Sequence, residues 1–140
     1  MKLELFTEAW AQQAATVLQA SEGYKNAAKT WEGAMVMTMQ ADASLGIPEA
    51  RSAYFDLWHG ECRVARAAST EDIAGAPYVI SADAFTWKQV LEGKLEPIAG
   101  LLRGKLKLVK GNMAVLARYV LAAKELVIGA SQVETLFPGE

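Results

Sequence analysis

With 140 residues and a net charge of −2 at neutral pH, the chain is long enough for one domain with a core of its own. Hydrophobic residues make up 52% and charged residues 21%, a slight apolar excess that leaves greasy surface to hide beyond an ordinary core. A single cysteine, Cys62, excludes an internal disulfide, and with a single histidine, His59, no zinc or iron centre of ordinary type can be assembled.

The first element is a helix. Thr7 is placed to cap it, Glu8 follows in the first turn, and Trp10, Ala14, Val17 and Leu18 share a face opposite Gln12, Gln13 and Gln19. A second, short helix is expected from Ser21-Glu22 to Trp31, with Gly33 as its C-terminal cap. From Ala34 to Ala41 the period changes to two: Met35, Met37 and Met39 point one way, Val36, Thr38 and Gln40 the other. After a loop from Asp42 to Ala50, a second strand runs from Ser52 to His59 with Ala53, Phe55, Leu57 and His59 on one face. Gly60-Glu61 reads as a two-residue hairpin loop of type II′, and Cys62 to Ala68 returns as the third strand. Thr70 to Ala76 is turn-like, and Pro77 to Ser81 forms a short fourth strand.

Asp83 caps a helix from Ala84 to Glu92, and Pro97 opens another short one that stops at Gly104. Lys105 to Lys110 alternates, Leu106 and Leu108 inward and the lysines outward, as a strand near a sheet edge does. Gly111-Asn112 then turns the chain into a helix from Met113 to Val127 whose only charges are Arg118, Lys124 and Glu125. A surface helix needs an apolar stripe about 100° wide, and this one exceeds it. Its excess must be wrapped by its own domain, docked on a partner or set against a greasy ligand.

The order predicts an α+β fold: a five-stranded, mainly antiparallel sheet covered by helices. Residues 1–140 read as one domain, with N-terminal helices over 7–32, sheet and helices over 33–128, and a polar tail over 129–140. No repeat, low-complexity tract or linker interrupts it. The N-terminus Met1-Lys2-Leu3-Glu4 carries no secretory apolar run, and no stretch approaches the ~18 apolar residues of a membrane span, so a cytoplasmic location is expected.

Charge is unevenly spread. Between Lys94 and Lys124 seven basic residues (Lys94, Arg103, Lys105, Lys107, Lys110, Arg118, Lys124) face one acid, Glu96, while the rest of the chain is acidic. Beside an apolar helix, such a strip can meet an anionic membrane surface transiently, or it can be a solvated edge guarded by lysines. Nucleic acid is not an expected partner, because the whole chain is acidic and the strip lacks interleaved aromatics.

No Gly-rich phosphate loop or nucleophile elbow is present. With Gly60-Glu61 as the loop, His59 and Cys62 would stand opposite each other and form a thiolate–imidazole pair, but hairpin tips lack an oxyanion hole. The same register sets Arg66 awkwardly opposite Phe55. No catalytic residue, metal or cofactor is therefore expected. The methionine row is either plain core or an adaptable ligand wall, since thioether side chains fit varied apolar shapes.

The run Gly93-Lys94-Leu95-Glu96-Pro97, then Gly104-Lys105-Leu106-Lys107-Leu108 and Gly111-Asn112-Met113, resembles the sterol carrier protein type 2 domain family. Pro77-Tyr78-Val79-Ile80-Ser81 with Trp87, and Tyr24 with Trp31-Glu32-Gly33, extend the likeness. Leu101, Leu102 and Arg103 depart from it, where the family often has aromatic residues and Gln. The resemblance implies a five-stranded sheet under helices, with an apolar tunnel between the sheet and the C-terminal helices that holds acyl chains, sterols or similar lipids without chemistry on them. Transferred residue by residue, it implies a lining of Met35, Met37, Met39, Phe55, Leu57, Phe85, Val90, Leu101, Leu102, Leu106, Leu108, Met113, Leu116, Ala117, Val120 and Leu121. Binding and transfer of apolar, lipid-like ligands is the expected function. The alternative is a protein-interaction module docking through its apolar C-terminal helix without a ligand, and a second copy of the chain is an open partner.

Overall fold

The computed structural model describes residues 1–140. Its centre is a five-stranded mixed sheet built from β2 (Met35–Met39), β3 (Arg51–Trp58), β4 (Glu61–Ala67), β5 (Tyr78–Ala82) and β6 (Lys107–Lys110), in the order β4-β3-β2-β5-β6. Within this sheet only the β2–β5 pair is parallel. Ala65, Phe55, Met35 and Tyr78 form one cross-strand row on the inner face, and Ala53, Met37, Ile80 and Leu108 form the next. Alternation in β3 is as expected, with Ala53, Phe55 and Leu57 buried between half-buried neighbours.

Helices from both ends of the chain cover this inner face. Helix α1 (Glu8–Gln19) starts at the Thr7 cap and buries Trp10, Ala11, Ala14 and Leu18. Next come α2 (Glu22–Ala27) and, after the sheet has been entered, α4 (Ala84–Leu91), capped by Asp83. The Trp87 indole N–H donates to Thr38 O at 2.9 Å, which ties α4 to β2. Helix α5 (Pro97–Leu102) has Pro97 at its start and the Glu96 carboxylate accepting from Ala99 N–H at 2.6 Å. The chain then runs through β6, α6 (Met113–Leu116) and α7 (Val120–Ser131). No helix is long and apolar enough to cross a membrane.

Several expectations are corrected. The second helix ends at Ala27, and Gly33 does not cap it: its N–H bonds to Leu57 O, because residues 31–33 lie alongside the end of β3. The turn-like stretch after Ala68 is a helix, α3 (Thr70–Gly75), held by a Ser69/Asp72 capping box. It lies across the sheet's other face, where Ala76 packs on Val36 and Val79 and Arg66 makes a bidentate pair with Asp72. The final residues are not a loose polar tail. β7 (Thr135–Leu136) pairs in parallel with β1 (Leu3–Glu4), and Val133 is buried between α7 and this small sheet. Gly129 does not end the last helix but lies within it, where a Cβ would sit 2.9 Å from the Leu18 side chain.

The hairpin between β3 and β4 also differs from expectation. Trp58 pairs with Glu61, so the turn residues are His59 and Gly60, with φ of 50° and 83°. Two positive φ values define a type I′ turn, which Gly accommodates and His tolerates better than most residues. A Cβ on Gly60 would lie 2.6 Å from Lys25 O, because the hairpin tip packs onto α2. Gly60→Ala is therefore expected to lower stability by about 2 kcal/mol or more in urea unfolding. Gly46→Ala, at φ 77° with nothing within 4 Å of the new Cβ, is expected to lose only about 1 kcal/mol. Equal losses would show that contact with α2 adds nothing to the turn.

Candidate functional site

Between the inner face of the sheet and its helical cover lies a cavity of about 90 Å³ lined by 26 residues, none of them charged. Its floor is Met35 and Met37 of β2, Phe55 and Leu57 of β3, and Ile80 of β5. One side is made by Trp10, Ala14 and Leu18 of α1 with Tyr24, Ala28 and Trp31. Trp87, Val90 and Leu91 of α4 and Pro97, Ile98 and Leu101 of α5 form another, and the last helix closes the roof through Ala122, Ala123, Leu126, Val127 and Ala130. Phe6, Leu106, Leu116 and Tyr119 complete the wall.

Of the residues assigned to the lining from sequence, Met35, Met37, Phe55, Leu57, Val90, Leu101, Leu106 and Leu116 lie in this wall. The structure places the others elsewhere. Met39 is fully buried one row along, beside Ala82, under the helices rather than at the cavity. Phe85 is 67% exposed, because α4 turns Ala84, Trp87 and Val90 inward and leaves position 85 outside that stripe. Leu102 ends α5 one residue past the inward Leu101 and is 68% exposed. Leu108 and Met113 are half-buried near the open edge of the sheet, and neither reaches the cavity.

Ala117, Val120 and Leu121 are displaced for a single reason. The last helix is not continuous: residues Ala117–Tyr119 form a 3-10 turn, and Tyr119 leaves helical geometry at φ −113°, ψ 37°. Three residues at 3.0 per turn instead of 3.6 rotate everything that follows. The inward row becomes Leu116, Tyr119, Ala122, Ala123, Leu126, Val127 and Ala130. Ala117 is exposed, Val120 is half-buried against the core, and Leu121 is 70% exposed. Tyr119 is held in this place by its hydroxyl, 3.2 Å from Thr30 Oγ1 and 3.3 Å from Thr30 O, and by its ring, edge-on to Trp31 with centroids 4.9 Å apart.

The seven wall residues that precede β2 are missing from the lining derived from sequence. Their signal is present: Trp10, Ala14 and Leu18 recur at i, i+4 and i+8, the spacing of an inward stripe. Periodicity says that such residues face inward but not that a cavity lies beneath them. Phe6 gives no signal, since it reaches the wall from a positive-φ position, φ 62°, between β1 and α1.

The His59–Cys62 pair does not form. Cys62 stands opposite Leu57 on the buried inner face, and a bulge next to it brings Arg66 opposite Tyr54 instead of Phe55. Arg66 then lies over the Tyr54 ring at 4.8 Å, on the sheet's other face. His59 Nε2 lies 2.6 Å from Glu32 Oε2, half exposed at the turn. Burial pushes the Cys62 thiol up to about 12, with Asp56 adding to the shift. No three His, Cys, Asp or Glu side chains come together as a metal-binding group.

A family model, the SCP-2 sterol transfer family, matches residues 13–124. A crystal structure of a sterol carrier protein 2 is 50% identical, with a TM-score of 0.85 over 93% of this chain and 99% of that one. The solution structure of a conserved hypothetical protein from Thermus thermophilus is 49% identical, with a TM-score of 0.86 over 95% of this chain and 92% of that one. At 18% identity, the sterol carrier protein 2 of Yarrowia lipolytica shares the fold, with a TM-score of 0.60 over 94% and 97% of the two chains. No curated protein matches the chain in sequence.

A thiol this far above neutrality is almost never a thiolate. Iodoacetamide at pH 8 is therefore expected to label Cys62 at least ~100-fold more slowly in the folded protein than in urea. Labelling at the rate of an exposed thiol would show an accessible, reactive Cys62 and reopen the question of nucleophilic chemistry.

Proposed function

The chain belongs to the SCP-2 sterol transfer family, a family of lipid binding and transfer, and on that premise we propose that it carries apolar, lipid-like ligands in the cavity between sheet and helices without chemistry on them. One observation carries the reading: 26 uncharged wall residues, drawn from almost every helix and three strands, line a partly open space that packing leaves unfilled. Interiors normally close such space, because each void forfeits dispersion contacts. At about 90 Å³ the cavity is below the ~300 Å³ at which small-molecule pockets begin. A long chain therefore enters by separating the roof helix from α5 and the sheet, with the 3-10 turn at residues 117–119 as the hinge.

Burying each methylene contributes about 0.8 kcal/mol, so affinity is expected to rise with acyl length until the widened cavity is full. A competition series of fatty alcohols against a fluorescent apolar probe measures this. Ala122→Phe, which places a ring in the roof, is expected to abolish probe binding while the far-ultraviolet circular dichroism stays native. Flat affinity across chain lengths, or full binding by Ala122→Phe, would count against the carrier reading.

The docking alternative is less favoured, because α7 already packs on α1, α2, α4 and α5 of its own domain. The outer surface supports a different contact. Leu102 and Leu121 are exposed beside the wall residues Leu101 and Ala122, on helices that pack together. Arg103, Lys105, Arg118 and Lys124 are exposed nearby in sequence and make no salt bridge, whereas Lys94 pairs with Glu92 and Lys110 is used on Ile73 O and Ala74 O. Exposed apolar side chains flanked in sequence by unpaired cations suit a transient landing on an anionic lipid surface. Leu121→Ser and Arg118→Ala are each expected to slow transfer to phosphatidylserine vesicles about three-fold or more without changing probe affinity. Unchanged transfer in both would remove this surface from the proposal.

A further inference from the structure

Five residues of the cavity wall carry a polar side-chain atom: Trp10, Tyr24, Trp31, Trp87 and Tyr119. Polar groups withdrawn from water are almost always given a partner inside the protein, and four of these five are. The Trp10 indole N–H donates to Thr135 Oγ1 at 2.9 Å, that of Trp31 to Gly33 O at 2.8 Å, and that of Trp87 to Thr38 O at 2.9 Å. The Tyr119 hydroxyl is matched at Thr30. The Tyr24 hydroxyl makes no hydrogen bond, although Tyr24 is only 2% exposed; only its backbone is engaged, the N–H with Ser21 Oγ and the carbonyl with Ala28 N–H.

Packing does not seal this hydroxyl. The one side-chain oxygen in the chain that is both fully enclosed and unpartnered is Glu96 Oε1, so the unpartnered Tyr24 oxygen is not fully enclosed, and its residue lines the cavity. The neighbouring sheet group that acts on this phenol, the Cys62 thiol, points to Val64 O at 3.6 Å. Burial pushes the Tyr24 phenol well above its ordinary range, with Cys62 adding to the shift, so at neutral pH it is an uncharged O–H. A wall without a charged residue offers nothing to an ionised group that has lost its water.

We infer that the Tyr24 hydroxyl is the polar subsite of the cavity, donating a hydrogen bond to a neutral oxygen (a hydroxyl, ketone or ester carbonyl) carried by an otherwise apolar ligand. This rests on the carrier reading and narrows its ligand class to long apolar molecules bearing an uncharged oxygen. Without such an oxygen the ligand leaves the hydroxyl unmatched, and the rest of the wall has no donor to spare.

The test is a two-by-two comparison of wild type and Tyr24→Phe, each binding dodecane and the methyl ketone of the same chain length, by displacement of a fluorescent apolar probe. Tyr24→Phe is expected to weaken the ketone about five-fold more than it weakens dodecane, the worth of one ordinary hydrogen bond. Infrared spectra supply a second readout. The ketone carbonyl stretch of the wild-type complex is expected below its position in alkane solvent, and Tyr24→Phe returns it there. Equal weakening of both ligands, or of neither, with an unshifted carbonyl band overturns the subsite and leaves the carrier reading standing. If neither ligand displaces the probe from the wild type, the carrier reading and the subsite fall together.

Discussion

Three central strands present Met35, Met37, Met39, Phe55, Leu57, Ile80 and Ala82 to the same side, and that apolar face has to be taken out of water. No single helix of this chain is wide enough to do it. The cover is assembled from α1 and α2 at the start, α4 and α5 in the middle and α7 at the end, so the sheet forms one layer and the helices form the other. Burying the face stabilises the fold, and it also dictates that both chain ends be brought together. The β1–β7 pair and the Trp10–Thr135 hydrogen bond hold the ends side by side.

Covering a sheet with five helices of unequal length leaves the layers imperfectly meshed, and the cavity sits where they fail to interdigitate. Its roof is α7, which packs on α1, α2, α4 and α5. Small residues, Ala122, Ala123 and Ala130, face inward there, so α7 approaches closely without filling the space. Gly129 lets it touch Leu18. By contrast the floor is tied on both sides by ladder hydrogen bonds, and α4 by the Trp87–Thr38 bond. Side-chain packing between helices can part without breaking a backbone ladder, which is why the last helix rather than the sheet is the moving part in the carrier proposal.

Tyr119 links these points. Its ring packs on Trp31, its hydroxyl is fixed at Thr30, and its backbone breaks the helix. The one residue therefore sets the rotation of α7, supplies part of the wall and fastens the roof to the N-terminal segment. The bulge beside Cys62 plays a corresponding part in the sheet: it moves Cys62 onto the buried face and Arg66 onto the other, where Tyr54 and Asp72 receive it.

Whatever depends on local chemistry was legible in the amino-acid sequence: the alternation of β2 and β3, the Thr7 and Asp83 caps, Pro97 at the head of α5, and the edge character of Lys105 to Lys110. Half of the assigned lining also lies in the cavity wall, and four of those eight residues, Met35, Met37, Phe55 and Leu57, are strand positions that follow from period two. The remainder waited on contacts between distant segments. The turn at His59-Gly60 and its bulge depend on the hairpin tip meeting α2, and the β1–β7 pairing joins segments more than a hundred residues apart. The inward face of the last helix depends on Tyr119 reaching Thr30, a contact 89 residues distant in sequence. A helical period read from sequence assumes an unbroken helix. Here a long-range hydrogen bond accompanies the break, and Ala117, Val120 and Leu121 leave the inward face as a result.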